Sequence, residues 1–396
     1  MFRRIIILLA GLAGFSLPVM AQQAAEPVLI RAGVLRVDDP GLPPISRLEL
    51  PTEDLGFAGA RLAIEDNDTT GRFMGQDFEA VEVAATPETA AAELDRLIAE
   101  GVQFIVVLAD DPTTLALADQ AGDRALILNA LARGDNLRGV DCRVNTVHVA
   151  PSHAMAADAL AQFLVWKQWQ NWFLVKGSHP QDEDLAAAFQ RAATKFGAEI
   201  VEERLYEDTG GARRTDSGHV QVQKQMPVFT QRAPDHDVLI AADEADIFAA
   251  YLPYQTWDPR PVAGSAGLVP RSWHPAMEAW GATQFQNRFE ELAGRQMREA
   301  DYQAWLALRI IGEAATRKQS ADPAVLKDFI LSPDFDVAGF KGQKLTVRDW
   351  DHQLRQPILL TTGLLMASVS PQEQFLHQTS ALDTLGIDRP ETDCSF

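Results

Sequence analysis

Residues 87–108 read PETAAAELDRLIAEGVQFIVVL. Pro87 suits the first turn of a helix, and the apolar side chains of residues 91–98 recur on one face of that helix. Gly101 ends the helix, and residues 102–108 form a continuous apolar run. Strands that are buried on both faces have such runs. The stretch therefore predicts one helix–strand unit of a parallel sheet.

Similar units lie on both sides of this stretch. We predict strands at 28–37, 78–84, 102–108, 125–129, 172–176, 200–206 and 237–242, and helices at 53–66, 87–100, 154–169, 182–196 and 244–252. The alternation predicts an α/β fold with parallel, doubly wound sheets. Because the pattern restarts near Ser152, we expect two similar lobes. A ligand would lie in the cleft between them, beyond the carboxyl ends of the strands.

The composition is that of a globular protein with room for two domains, since 46% of the 396 residues are hydrophobic and 23% are charged. Residues 1–21 predict a secretory signal peptide, because two arginines precede an apolar run that is much shorter than the ~20 residues of a membrane anchor. Removing them changes the net charge from −20 to −22. Such acidity disfavours nucleic acid and anionic lipid as partners.

Sequence signals of catalysis and of metal binding are weak. The chain has no Gly-x-Ser-x-Gly elbow, no phosphate-binding Gly-rich Lys loop and no His-Glu-x-x-His. Residues 66–77 imitate a calcium loop, but Asp77 stands where such loops have a bidentate glutamate. The alternative, which we favour, is that the same window is the turn after the first helix, where Gly and Asn are needed for backbone reasons. We expect no enzyme activity, no metal and no required cofactor.

The two cysteines, Cys142 and Cys394, allow one disulfide bridge in an oxidising compartment. A bridge would fix the C-terminal tail to the first half of the chain and close a very long loop. The alternative is a pair of unrelated thiols. We favour the bridge, because an exposed free cysteine is a liability in an exported protein.

The stretch Gly56-Phe-Ala-Gly-Ala-Arg-Leu-Ala-Ile-Glu-Asp-Asn67, followed by Thr70-Gly71 and by residues 93–107, resembles the opening of the periplasmic solute-binding proteins of the leucine/isoleucine/valine-binding type. The resemblance extends over nearly the whole mature chain. It implies two Rossmann-like lobes that are joined by three crossings and close on a ligand, with an ABC permease in the inner membrane as partner. It also implies that residues 28–147 and 272–353 form lobe 1, and residues 148–271 and 354–390 form lobe 2.

The chain departs from the amino-acid binders of this family at two strand ends. After the third strand it has Asp110-Asp-Pro-Thr113-Thr in place of Gly-Pro and a run of Ser/Thr. After the first strand of the second lobe it has Lys176-Gly-Ser-His179 in place of an acidic Tyr-Gly loop. We therefore take Asp110, Thr113, Lys176 and His179 as candidate ligand contacts and do not assume a pocket for α-amino acids.

Aromatic and cationic side chains provide the other ligand candidates. Since all eight tryptophans lie at or after Trp166, a planar aromatic ligand would find stacking partners, and Trp273 and Trp305 are the best candidates. An anion would need local cations in so acidic a chain, which makes Arg143 and Arg213 candidates beside Lys176. The alternatives are core packing for the tryptophans and solvated surface charge for the cations.

Three segments resemble a narrower group, the solute-binding proteins associated with pyrroloquinoline-quinone-dependent alcohol dehydrogenase systems. They are Asp141-Cys-Arg143, the Gly-rich loop at Arg213-Arg214, and residues 385–394. The resemblance implies a periplasmic receptor that captures pyrroloquinoline quinone or another planar aromatic carboxylate. The alternatives are a cofactor chaperone or sensory partner of a quinoprotein alcohol dehydrogenase, and a binding protein for branched-chain or aromatic amino acids.

Overall fold

The computed structural model describes residues 27–38, 41, 44–46, 49–210 and 221–396. The predicted signal peptide lies outside these residues, as does the Arg213-Arg214 loop. Within the described part of the chain, none of the helices combines the length and the apolar character that crossing a bilayer requires. The same part of the chain contains no group of three or more His, Cys, Asp or Glu residues that could hold a metal ion.

Lobe 1 is built on a parallel sheet of five strands in the order β2-β1-β3-β4-β5. Its strands and the first helices are β1 (Val28–Val37), α1 (Phe57–Met74), β2 (Gln76–Ala85), α2 (Ala90–Ala99), β3 (Phe104–Leu108), α3 (Asp111–Ala121), β4 (Leu126–Asn129) and β5 (Thr146–His148). The helix–strand unit predicted from residues 87–108 is present as α2 and β3. Leu94 and Leu97 of α2 are fully buried, as are all five residues of β3.

Helix α1 is longer than predicted, because it continues through the polar residues that the sequence suggested were a turn. The buried side chain of Asn67 donates a hydrogen bond to the carbonyl of Leu308, 3.1 Å away. Gly71 allows the helix to pass close to β2, since a Cβ there would lie 2.6 Å from the carbonyl oxygen of Gln76. The helix ends at Gly75, which has the left-handed conformation. The segment that imitates a calcium loop is therefore largely helical.

Lobe 2 is built on a parallel sheet of four strands in the order β7-β6-β8-β9. Its elements are α4 (His153–Trp166), β6 (Asn171–Lys176), α5 (Pro180–Phe196), β7 (Glu199–Leu205), α6 (Val222–Thr230), β8 (Val238–Ala242), α7 (Leu252–Gln255) and β9 (Val262–Gly264). The predicted helix at 244–252 is wrong. The Asp243 carboxylate instead accepts hydrogen bonds from the backbone amides of residues 247–249, and only a short 3-10 turn and α7 follow.

The chain then returns to lobe 1 and crosses back once more. The remaining elements are β10 (Val269–Arg271), α8 (Ala282–Ala293), α9 (Glu299–Lys318), α10 (Pro323–Ile330), β11 (Val337–Ala338), β12 (Lys344–Val347), β13 (Leu354–Arg355), β14 (Ile358–Thr361) and β15 (Met366–Ser370). Helices α8 to α10 belong to the core of lobe 1. The small antiparallel sheet β10-β14-β15 packs on α4 of lobe 2. The chain passes between the lobes after β5, after β10 and after β13, which gives the three crossings expected.

The predicted disulfide is present between Cys142 and Cys394, whose Cα atoms are 5.7 Å apart. The tail that leads to it is held by lobe 2, because the backbone amide of Gly386 donates to the buried Asp158 carboxylate of α4. Cys142 itself lies between β4 and β5 of lobe 1. The tail therefore runs from one lobe to the other.

Candidate functional site

A cavity of about 180 Å³ lies between the lobes, where the carboxyl ends of the two sheets face each other. Its polar lining consists of Arg133, Glu244, Arg271, Ser272, Glu299 and Gln303. Arg133 follows strand β4 of lobe 1, and Glu244 follows strand β8 of lobe 2. Glu299 and Gln303 are four residues apart at the start of α9, so the same face of that helix presents both. The position agrees with the rule that α/β sheets bind ligands beyond their strand ends.

An ion pair crosses this cavity from one lobe to the other. Nη1 of Arg133 lies 3.4 Å from Oε1 of Glu244. Nε2 of the buried His153, at the start of α4, lies 3.7 Å from the same oxygen. Burial disfavours the charged form of Glu244, but the positive charge of Arg133 and the contact with the His153 ring outweigh it and lower the pKa of the carboxyl to about 2. Glu244 is therefore ionised at any physiological pH.

A second ion pair lies on the wall that α9 and β10 form. Nη1 of Arg271 donates to Glu299 over 3.1 Å, and the hydroxyl of Ser272 donates to the same carboxylate over 2.9 Å. Arg271 and Arg133 each make only one side-chain hydrogen bond among the described residues. A guanidinium has five N–H donors. Both arginines can therefore bind an anion without leaving their glutamate partners.

Two buried polar side chains at this site have no hydrogen-bond partner in the described part of the chain. Only 3% of Gln303 is exposed, and neither its amide nitrogen nor its amide oxygen is paired. Both ring nitrogens of His153 are likewise without a hydrogen bond. Buried polar groups are paired in the great majority of cases, so an unpaired one calls for an explanation. Gln303 lines the cavity, and a ligand bound there would supply the partners that its amide lacks.

The candidates at the strand ends of each lobe lie away from this cavity. Asp110 is the N-cap of α3, where its carboxylate accepts from the backbone amide of Thr113 over 2.9 Å. Lys176 forms ion pairs with Glu183 and Glu203, and these two carboxylates raise its pKa.

The other charged candidates have partners elsewhere. His179 lies 3.0 Å from the Asp208 carboxylate, and Arg143 pairs with Asp119 on the surface of lobe 1. Arg213 lies outside the described residues. The ligand-binding roles of all these residues stay predictions.

The two tryptophan candidates are buried in the core of lobe 1. The ring of Trp273 stacks on Tyr302 with centroids 4.9 Å apart, and its Nε1 donates to Gln286. Trp305 donates from Nε1 to Asp66 over 2.9 Å and lines a different cavity in lobe 1. Among the described residues that line the cleft cavity, none is a tryptophan. Stacking of these two rings on a ligand in the cleft also stays a prediction.

The residues that form the cavity were not selected from the sequence, although a signal existed for two of them. The sequence predicted strands that end at residues 129 and 242. Arg133 lies four residues after the first of these ends, and Glu244 lies two residues after the second. A search for opposite charges just beyond strand ends would have found this pair. No sequence signal distinguishes Gln303 from the other polar residues of α9.

Comparison with known proteins gives one family match. A sequence profile of the family described as periplasmic binding protein matches residues 52–224. No curated protein is similar enough in sequence to count as a relative.

Many solved structures share the fold. An ABC transporter substrate-binding protein from Sphaerobacter thermophilus is 17% identical, with a TM-score of 0.69 over 87% of this chain and 98% of that one. The leucine-, isoleucine-, valine-, threonine- and alanine-binding protein of Brucella ovis, in its closed conformation, is 17% identical, with a TM-score of 0.67 over 87% and 95%. A solute-binding protein from R. palustris in complex with benzoate is 13% identical, with a TM-score of 0.66 over 93% and 100%.

The chain has a two-lobed α/β fold with parallel sheets in both lobes, and this fold matches that of the type I periplasmic binding proteins among the solved structures. The family profile covers residues 52–224, and the likeness in fold extends over most of the chain.

Proposed function

We propose that the chain is the periplasmic receptor of an ABC-type uptake system and captures a small organic acid between its lobes. One observation carries the proposal. The inter-lobe cavity combines an ion pair that joins the lobes with two arginines that have spare donors and a buried, unpaired amide. The proposal includes export to the periplasm and assigns no reaction to the cleft.

The ligand's carboxylate would bind Arg133 and Arg271. Both guanidiniums lie at the cavity, and each has most of its N–H groups unused among the described residues. A carboxylate accepts two parallel hydrogen bonds from one guanidinium, which gives both affinity and orientation. Gln303 would then offer a donor and an acceptor to a polar group elsewhere on the ligand.

Ligand binding would favour the closed arrangement of the lobes. Arg133 belongs to lobe 1, whereas Glu244 belongs to lobe 2 and Arg271 to the sheet that packs on lobe 2. A ligand held from both sides gains contacts that the open form lacks, and the difference in affinity sets how far the population shifts. An ABC permease would recognise that closed form.

For the ligand itself, we propose a planar aromatic carboxylate, with pyrroloquinoline quinone as the specific compound to test. The sequence resemblance at residues 141–143 and 385–394 supports this choice. An amino acid is the second candidate, because Glu244 and Glu299 at the cavity could pair with an ammonium group.

Isothermal titration calorimetry tests the proposal by comparing the affinities of the purified protein for pyrroloquinoline quinone, benzoate and leucine. The Arg133→Gln substitution should weaken binding of the preferred ligand at least tenfold. Arg143→Gln is a matched control, because 33% of that side chain is exposed and 31% of Arg133 is. If Arg143→Gln abolishes binding and Arg133→Gln does not, the cleft assignment is wrong.

A role in delivering a cofactor to a quinoprotein dehydrogenase would need the same cleft but no permease. Transfer of bound pyrroloquinoline quinone to an apo-dehydrogenase, without uptake by cells that carry the permease, would favour that rival role.

A further inference from the structure

Lobe 1 contains a second, larger cavity that is separate from the cleft. Its volume is about 760 Å³, and no described residue lines both cavities. Helices α1 and α9, the segment before α8 and the loop from β11 to β12 form its walls. We call it the lobe 1 cavity. None of the proposed cleft interactions uses it.

Aromatic rings form one side of the lobe 1 cavity. Phe340 stacks on Phe285 with centroids 4.5 Å apart, and its ring lies 5.5 Å from that of Trp305. Trp280 is 55% exposed at the rim and lies against Gly342, where an added Cβ would be 2.4 Å from the tryptophan ring. The cavity therefore offers both a buried and an exposed aromatic surface to a flat ligand.

The backbone at these rings is held in an unfavourable conformation. Trp280 and Phe340 both have a φ of +55°, in the left-handed region that non-glycine residues adopt at a cost. Such conformations concentrate at ligand sites, where the surrounding structure imposes them.

The charge of the lobe 1 cavity is opposite to that of the chain. The chain as a whole has 35 basic and 55 acidic residues, but four basic and only two acidic side chains line this cavity. The six charged lining residues are Arg288, Arg309, Lys341, Lys344, Asp66 and Asp336. A local excess of positive charge favours anions.

Not all of these cations are free to bind. Arg288 is paired with Asp66, and Lys341 donates to the carbonyls of Ser272 and Pro357. Arg309 has only the side chain of Asn67 as a hydrogen-bond acceptor among the described residues, and Glu313 lies 3.8 Å from its Nη2. Burial and the neighbouring Arg288 lower the pKa of Arg309, so an anion there would relieve an unfavourable charge. Lys344 is exposed at the rim, where its Nζ lies 3.2 Å from the Asp336 carboxylate and keeps further N–H donors for an anion.

From these features we infer that the lobe 1 cavity is a second binding site, for a planar aromatic anion. The ring lies between Trp280 and the Phe340–Trp305 pair, and the acid group pairs with Arg309 and Lys344. This site is distinct from the proposed cleft site and does not depend on it.

Isothermal titration calorimetry with 2-naphthoate tests the inference. It is performed on Arg133→Gln, a variant that weakens the proposed cleft site, so that binding at the lobe 1 cavity is measured with little contribution from the cleft. We expect saturable binding of one equivalent, at least tenfold weaker binding of the neutral analogue 2-naphthalenemethanol, and about tenfold weaker binding of 2-naphthoate after Trp280→Ala. Trp257→Ala is the matched control, because that tryptophan is 60% exposed on lobe 2, and it should have no effect.

Three results would overturn the inference: no binding of 2-naphthoate to the Arg133→Gln protein, equal affinity for the acid and the alcohol, or equal affinities of the Trp280→Ala and Trp257→Ala variants.

A second pair of variants tests the charge. Lys344→Glu should weaken binding severalfold, and Lys167→Glu, on lobe 2, should not. Equal effects of these two substitutions would also overturn it. Trp280, Trp257, Lys344 and Lys167 are all exposed, and each is changed in the same Arg133→Gln protein, so loss of folding does not account for a difference between paired variants.

Discussion

Replacing Gln303 with methionine should stabilise the ligand-free protein and weaken its binding of ligand. The amide nitrogen and oxygen of Gln303 are both buried and unpaired. Each unpaired buried polar group costs ~1–3 kcal/mol, and methionine fills a similar volume without either group. With two such groups removed, we expect the free energy of unfolding to rise by ~2–6 kcal/mol. The same change removes a donor and an acceptor that the ligand would use, so affinity should fall at least tenfold.

Urea unfolding, followed by far-UV circular dichroism, measures the first effect as a shift of the midpoint at constant slope. Gln286→Met is the matched control, because Gln286 is 4% exposed and Gln303 is 3%. Gln286 accepts from Trp273 and donates to Glu290, so its replacement leaves a buried indole N–H unpaired and should destabilise by ~1–3 kcal/mol. If Gln303→Met lowers the midpoint as Gln286→Met does, the amide is not unpaired and the reasoning is refuted.

Three further predictions concern charge and covalent structure. Burial lowers the pKa of Lys341 from 10.5 to about 7, so between these pH values the unfolded state binds one more proton than the folded state. The free energy of unfolding should therefore rise with pH across this window, by roughly 3–5 kcal/mol relative to the Lys341→Met variant. Parallel pH profiles of the two proteins in urea unfolding would contradict this. Replacing Cys142 and Cys394 with serine should lower the unfolding free energy by ~2–5 kcal/mol, and two free thiols in non-reducing mass spectrometry would disprove the bridge. Arg133→Met should remove the ion pair to Glu244 and raise the radius of gyration in solution scattering; an unchanged radius would show that this pair does not hold the lobes together.

The sequence predicted the fold well wherever local pattern and tertiary packing agree. Residues 87–108 show this, because periodicity, the helix-ending glycine and the apolar run all specify the same unit that the structure contains. The end of α1 shows the opposite case. Residues 65–71 are polar and contain a glycine, which locally favours a turn, but Asn67 and Gly71 pack against α9 and β2. Those partners come from distant parts of the chain and are invisible to a local pattern.

A cavity lies near the strand ends where the sequence predicted a ligand site, but its polar lining differs from the residues that the sequence suggested. Strand ends located the cleft, since the carboxyl ends of parallel strands meet at one edge of each sheet. Which side chains point into it depends on how the two lobes face each other. Lys176 shows the difficulty, because it lies at a strand end but is held by Glu183 and Glu203 within its own lobe. Gln303 is the reverse case, a residue with no local signal that the packing of α9 brings to the cavity.

The disulfide has a mechanical consequence for the motion of the lobes. Gly386 is anchored to lobe 2 through Asp158, and Cys394 is bonded to Cys142 of lobe 1. The eight residues from the anchor to the bridge reach at most ~28 Å when fully extended. They form a tether whose length sets an upper limit on how far the two ends can separate when the cleft opens. Reduction of the bridge would cut this tether and leave the three crossings, together with the hydrogen bonds from Arg348 to the tail, to restrain the hinge.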